Sequence, residues 1–293
     1  MIAPSSPHAA AMLDLRPLSA AIGVELTGVD LSLPLVKAQA AGCRRALEEY
    51  CVLLVRRQVL SGGQQLRLAQ HFGRLGVSSS GGPPAIVYVG TQPGTDGRPG
   101  ILPTGPVDFH SDQSYLEIPS IATMLYAIDI PSEGGGTLFS NCFRAFDALP
   151  DSVKQQLHGR SALHVYDYAS DPTRRPSALP PNAKCAVHPI FKIHPTTGRT
   201  SLYVSRLMTW SIVGLPEAES REILEFLFAH QEKPEFVYEH RWQTGDLVIW
   251  DNRSCNHART DFDDRQPRNL RRVTILDDAT APPPAIARAR NDA

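Results

Sequence analysis

Two residues with metal-binding chemistry stand one apart in Phe109-His110-Ser111-Asp112. In an extended strand alternate side chains share a side, so His110 and Asp112 project together and Ser111 turns away. An imidazole beside a carboxylate supplies two of the three ligands that hold non-haem Fe(II) on one face, and three protein ligands leave the other positions on the ion open for reactants. The plain alternative is a surface strand with a salt-bridged histidine, because a chain with 10 histidines and 30 acidic residues forms His-x-Asp readily. A third ligand has to come from a distant histidine. His257, after Trp250-Asp251-Asn252-Arg253-Ser254-Cys255-Asn256, follows an apolar strand and a short polar turn. It competes with His188 and His194 in a hairpin and with His71, His158, His164, His230 and His240 in helices or flanks. Spacing alone leaves that choice open.

A second group of functional side chains follows. Arg268-Asn269-Leu270-Arg271-Arg272-Val273-Thr274 reads as the start of a strand, which places Arg268, Leu270 and Arg272 on one face and Arg271 on the other. Two guanidiniums on one face can each hold a carboxylate by a bidentate pair. A basic edge strand that resists pairing with other chains would look the same.

The elements that must position these groups are mostly short strands. Strand patterns cover Leu13 to Leu18, Gly23 to Leu31, Tyr50 to Arg56, Ser120 to Ile130, Thr137 to Asn141 and Leu270 to Leu276. Hairpins are expected over Cys185 to Val204, turning at His194 to Arg199, and over Glu235 to Trp250, turning at Thr244-Gly245. Helical patterns cover Val36 to Tyr50, Gly63 to Phe72 behind a Ser61 cap, Phe143 to Leu157 with a break at Pro150, and Pro216 to Gln231. The last of these carries an apolar face of Ile223, Leu224, Leu227 and Phe228. Two long Gly/Pro-rich loops, Gly76 to Pro106 and Asp167 to Asn182, are expected to wall or close a pocket. Strands dominate without strand–helix alternation, so the expected fold is mainly β with flanking helices, an antiparallel jelly roll. Loose tails are expected at 1–12 and 279–293, around one domain at 13–278.

Composition excludes several classes. Over 293 residues the net charge is −1, which offers no polyanion-binding surface, and no apolar run is long enough to span a bilayer. Nucleic acid and membrane are therefore not expected as partners. The five cysteines are scattered without a Cys-x-x-Cys pair, which fits a reducing cytoplasm better than a disulfide framework, and the first residues lack the pattern of a secretory signal.

Several motifs in this order resemble one family. They are Phe109 to Asp112, Gly134-Gly135-Gly136-Thr137-Leu138-Phe139, His188-Pro189, His194-Pro195-Thr196-Thr197-Gly198-Arg199, Gly245 to Arg253, His257, and Arg268 to Thr274. Together they are similar to the taurine and 2,4-dichlorophenoxyacetate dioxygenases, Fe(II)- and 2-oxoglutarate-dependent enzymes on a double-stranded β-helix. The similarity runs from about Leu13 to Asp278, and from Glu235 onward it looks closer to the 2,4-dichlorophenoxyacetate branch. The resemblance implies that His110, Asp112 and His257 are the metal ligands. It also implies that Thr137 and Arg268 hold the distal carboxylate of 2-oxoglutarate, that Arg272 pairs with an acidic substrate, and that Trp250 lies near the metal. Its implied reaction uses O2, hydroxylates a substrate C–H bond, with cleavage where the carbon bears a leaving group, and yields succinate and CO2. The implied assembly is a homo-oligomer, a dimer or tetramer. The histidine, tyrosine and asparagine that recognise taurine are absent from Gly76 to Gly81 and Pro103 to Asp108, so a different small acid is expected. Two other classes carry the same residues: a zinc hydrolase using His/Asp/His, and a jelly-roll binding protein without catalysis.

Overall fold

A computed structural model describes residues 13–76, 86–93, 97, 100, 105–166, 179 and 182–277. Both expected tails, most of the first Gly/Pro-rich loop and nearly all of the second lie outside these residues.

Two facing sheets position the site. Among the described residues the larger has eight strands. Its order is β1 (Asp14–Pro17), β2 (Val24–Thr27), β3 (Val52–Val55), β15 (Leu247–Asp251), β7 (Ala122–Asp129), β17 (Asn269–Leu276) and β4 (Arg74–Leu75), with β5 (Ile86–Gly90) also paired to β17. The smaller runs β14 (Val237–His240), β8 (Thr137–Asn141), β16 (Cys255–Arg259) and β6 (Val107–His110). All these pairs are antiparallel except β2 with β3. This is the jelly roll, or double-stranded β-helix, that the strand pattern and the family resemblance call for.

Burial on both faces explains the apolar runs of the central strands β3 and β15. Val52 and Leu54 of β3 face inward with Leu125, Val248, Trp250 and Leu270, meeting Phe139 and Cys255 of the smaller sheet. Leu53 and Val55 face outward with Met124, Ile249, Val273 and Ile275. That outer face is covered by α1 (Lys37–Tyr50), through Cys43, Ala46 and Leu47, and by α2 (Gly62–Ala69), through Leu68 and Ala69. A strand buried on both faces cannot alternate polar with apolar. Ser61 opens α2 as expected, its hydroxyl accepting from the Gln64 amide while the Gln64 side chain returns to the Ser61 amide.

A third core lies under α3 (Cys142–Asp147), α4 (Asp151–Leu157) and α5 (Glu217–Gln231), where Leu224, Leu227 and Phe228 of α5 are buried with Ile190, Leu202 and Ile212. Beside it β9 (Ser161–Val165) pairs with β10 (Cys185–Pro189) and β13 (Thr209–Ile212), and β11 (Phe191–Ile193) pairs with β12 (Thr200–Leu202). No helix among the described residues is long and apolar enough to cross a membrane.

Several expectations are corrected. The supposed loop from Gly76 to Pro106 contains strand β5, whose pattern Ile-Val-Tyr-Val is masked in sequence by flanking Gly and Pro. His164 lies on β9 and His240 on β14, not in helices or flanks. Within Cys185 to Val204 only β11 and β12 form the hairpin, since β10 pairs back to β9. Glu235 to Trp250 is not a hairpin: β14 pairs with β8 and β15 with β3 and β7, so the Thr244-Gly245 turn carries the chain from one sheet to the other. Gly245 is needed there, with φ 85° and its Cβ position only 2.7 Å from the Gln58 carbonyl oxygen.

Candidate active site

The metal-binding cluster is built by one strand pair and the turn after it. In the β6–β16 ladder His110 stands opposite His257, with ring centroids 4.1 Å apart. His257 follows the apolar strand β15 and the turn at 252–254, as expected, and itself lies on strand β16. β6 ends at His110, so Asp112 is delivered by a turn rather than by strand alternation. Gln113 takes φ 58°, and Ser111 O accepts from the Ser114 amide. That turn swings the carboxylate back. Asp112 Oδ1 lies 3.8 Å from His110 Nε2, and Oδ2 lies 3.8 Å from His257 Nε2. One ligand atom from each residue falls within 4.8 Å of the others, and among the described residues this is the one cluster of three or more metal-ligating side chains.

The surroundings fix the protonation this cluster needs. His110 Nδ1 donates to the Asp108 carbonyl at 2.9 Å, which leaves a lone pair on Nε2. Burial holds both imidazoles below their ordinary range, although Asp112 pulls the other way. Burial would raise the Asp112 carboxyl. Arg272, His257, His110 and the Thr123 hydroxyl outweigh it and keep the carboxyl well below the usual carboxylate range. Thr123 donates to Asp112 Oδ2 at 2.5 Å and accepts from Asn252 Nδ2 at 3.2 Å. Asp112 Oδ1 is buried without a hydrogen bond. Two neutral imidazole nitrogens and an ionised carboxylate with an unsatisfied oxygen fit a divalent metal.

Five of the competing histidines have other partners. His194 Nδ1 accepts from the Thr196 and Thr197 amides, and Nε2 donates to Asp251 at 3.0 Å. His188 donates to the Leu116 carbonyl, His230 to Ala145, and His240 lies 3.1 Å from Asp246. His164 packs its ring against His188 and Tyr203.

Thr137 and Arg268 come together at one end of the mouth. Phe139 pairs with His257 across β8 and β16, and Thr137 is one pleat further along, opposite Arg259. Trp242 Nε1 donates to Thr137 Oγ1 at 3.0 Å, so the threonine hydroxyl proton is left to donate. Arg268 Nε and Nη2 each reach the Gly135 carbonyl at 3.2 Å, while Nη1 is buried without a hydrogen-bond partner. Gly135 has φ 65°, and a Cβ there would lie 3.1 Å from Arg268 Nε, so the glycine run makes the cradle for this guanidinium. Burial, then the nearby Arg259, lowers the Arg268 pKa to about 9.

Trp250 is fully buried, 4.6 Å from His257 and 5.4 Å from Phe139 between ring centroids. Arg272 and Leu270 share the inward face of β17, and Arg271 turns outward to Gln65 and the Leu60 carbonyl, as alternation requires. Arg272 Nη2 lies 2.9 Å from Asp112 Oδ2. Thr123, Asn252, Trp242 and Arg259 were not legible as site residues. Arg259 alone carried a signal, standing two residues after His257, and only if that segment is read as a strand.

Two histidines and an aspartate that converge in a jelly roll, with the buried guanidinium of Arg268 held at Gly135, fit a metal-dependent enzyme that takes an acidic ligand. Residues 14–274 match the model of the taurine catabolism dioxygenase TauD, TfdA family, and the chain belongs to that family. It is 32% identical over 286 residues to pentalenolactone F synthase of Streptomyces avermitilis, covering 89% of this chain and 94% of that protein. It is 33% identical to the alpha-ketoglutarate-dependent 2,4-dichlorophenoxyacetate dioxygenase of Cupriavidus pinatubonensis, covering 90% and 97% respectively. The crystal structure of AAD-2 in complex with Mn(II) and N-oxalylglycine is similar at TM-score 0.80 and 29% identity, over 92% of this chain and 98% of that one. The protein is a 2-oxoglutarate-dependent dioxygenase, and the hydrolase and binding-protein alternatives have no counterpart among these relatives.

Proposed function

We propose that the chain uses Fe(II), held by His110, Asp112 and His257, to hydroxylate a C–H bond of a small organic acid. The observation that carries this reading is the convergence of three ligand atoms within 4.8 Å, with Asp112 Oδ1 buried and without a hydrogen bond. Bound Fe(II) would supply the oxidising chemistry, with 2-oxoglutarate and O2 as cosubstrates and succinate and CO2 as products. The protein's own part is geometric. Thr137 donates its hydroxyl, and Arg268 its buried Nη1, to the distal carboxylate of 2-oxoglutarate. Trp250 and Phe139 pack against the His257 ring and fix its orientation. Arg272, at 24% side-chain exposure, stands at the mouth with a cation for the acidic group of the prime substrate. Where the hydroxylated carbon bears an oxygen or sulfur leaving group, the product cleaves. One domain over residues 13–278, acting as a homo-oligomer in the cytoplasm, completes this reading.

The test is an anaerobic titration of the protein with Fe(II) and 2-oxoglutarate, followed by the visible metal-to-ligand charge-transfer band. The expected result is a band in the wild type that His257→Ala abolishes, and that small acids perturb in the wild type but not in Arg272→Ala. A folded wild type that gives no band would overturn the assignment of the metal and its ligands.

A further inference from the structure

We infer that Thr123 is a positioning residue of the metal centre: its hydroxyl holds Oδ2 of Asp112, so that the carboxylate meets the metal through Oδ1 alone. This rests on the reading above, in which Asp112 is a ligand. Alternation places the residue. The inward side chains of β7 are Thr123, Leu125 and Ala127, and the polar one meets Asp112. Thr123 is fully buried and Asp112 is 1% exposed, so neither group has water as a ready substitute partner.

Position alone does not choose between the two carboxylate oxygens, since Oδ1 lies 3.8 Å from His110 Nε2 and Oδ2 lies 3.8 Å from His257 Nε2. The donors do. Oδ2 accepts from Thr123 Oγ1 at 2.5 Å and lies 2.9 Å from Arg272 Nη2, whereas Oδ1 is buried without a hydrogen bond. A buried carboxylate oxygen without a donor is costly, and a metal ion supplies the missing partner. The direction of the Thr123 bond is also fixed. An ionised carboxylate only accepts, and Asn252 Nδ2, 3.2 Å from Thr123 Oγ1, only donates. The single hydroxyl proton therefore goes to Asp112. Asn252 Nδ2 is itself held by Ser120 Oγ at 3.1 Å, and the Asn252 carbonyl accepts from Ser111 Oγ at 2.7 Å, so one residue braces both the hydroxyl and the ligand segment. Of the two donors to Oδ2, Arg272 is 24% exposed and is also asked to meet substrate; Thr123 is the one committed to Asp112.

The test uses Mn(II) and needs no turnover. Affinity is read from the paramagnetic resonance signal of free Mn(II). Denticity is read from the infrared difference spectrum on adding Mn(II), because the separation of the antisymmetric and symmetric carboxylate stretches widens on monodentate binding and narrows on bidentate binding. Thr123→Val, of nearly the same shape, should weaken Mn(II) about tenfold, and Thr123→Ser, which restores the hydroxyl, should return the affinity to within about twofold of wild type. Thr123→Ala serves if the valine variant does not fold. The sign is diagnostic: a hydroxyl that only drew charge from the carboxylate would hold back the metal, and its removal would tighten binding. The wild-type infrared bands should show the wide, monodentate separation. Unchanged or tighter Mn(II) binding in the folded valine or alanine variant would overturn the inference, and so would a narrow separation in the wild type. A wild type that takes up no divalent metal would instead sink the parent reading, and this inference with it.

Discussion

Arg272→Met separates what this guanidinium does for Asp112 from what it does for substrate. Nη2 lies 2.9 Å from Oδ2 of a carboxylate that is 1% exposed. With the charge centres about 4 Å apart and an effective dielectric near 20, the attraction is about 4 kcal/mol. Arg272 is 24% exposed, so water screens part of it, and removing the charge should cost about 2–3 kcal/mol. Methionine keeps most of the apolar stem and loses only the cation and its hydrogen bonds. In chelator-treated protein the variant should therefore melt about 5–8 °C below wild type. With a divalent cation on Asp112 most of that cost is offset, because the metal supplies the positive charge and Arg272 repels it. The loss should then shrink to a few degrees. Linkage requires the difference to reappear as affinity: about 2 kcal/mol corresponds to about 30-fold tighter metal binding by the variant. The assay is scanning calorimetry at pH 8 in EDTA and in excess Mn(II), with a Mn(II) titration of both proteins. Equal falls in Tm under the two conditions, with the same Mn(II) affinity, would refute the reasoning.

Two further outcomes follow from local geometry. Gly135→Ala puts a side chain at φ 65° and 3.1 Å from Arg268 Nε, so it should cost about 1–2 kcal/mol of stability and weaken 2-oxoglutarate at least about fivefold. Gly159→Ala, at φ 71° with open space around it, should incur the backbone cost alone; a Gly135 variant that binds 2-oxoglutarate like wild type would mean the cradle does not position Arg268. His164 is held neutral by burial, and by His188 and Lys192, with its pKa lowered to about 3 from 6.5. The unfolded chain therefore takes up this proton first. The stability His164 contributes is full above about pH 6.5 and is lost as pH falls toward about 3, with about 2 kcal/mol gone at pH 5. Urea denaturation of His164→Phe at pH 7.5 and pH 5 should show a pH dependence smaller by that amount; an unaltered dependence would locate the acid sensitivity in other groups.

What the sequence shows of this site depends on whether a residue's neighbours along the chain are also its neighbours in space. His110 and Asp112 are adjacent on both counts, so their pairing is legible even though the carboxylate arrives by a turn and not by the assumed strand. Central strands β3, β7 and β15 are legible because burial on both faces makes them almost continuously apolar. β16 is buried to the same degree, yet it reads Cys-Asn-His-Ala-Arg and carries no apolar pattern. Its polar groups are satisfied by partners far along the chain, such as Asn256 Nδ2 on the Val204 carbonyl. The strand that holds a metal ligand and Arg259 is therefore the one periodicity misses. The mistaken hairpin at Thr244-Gly245 has a related cause: a turn signal reports that the chain reverses, but not whether it returns to the same sheet. In a jelly roll successive strands often cross to the other sheet, and that crossing puts Trp242 against Thr137 on one side and Trp250 against His257 on the other. Arg272 shows the same limit at the level of a single contact. Alternation along β17 gives the face it projects from, and the family resemblance gives it an acidic partner in the substrate. Only the turn at Gln113 brings it a second acid, Asp112, so under the proposed function substrate recognition and metal binding become two demands on one guanidinium.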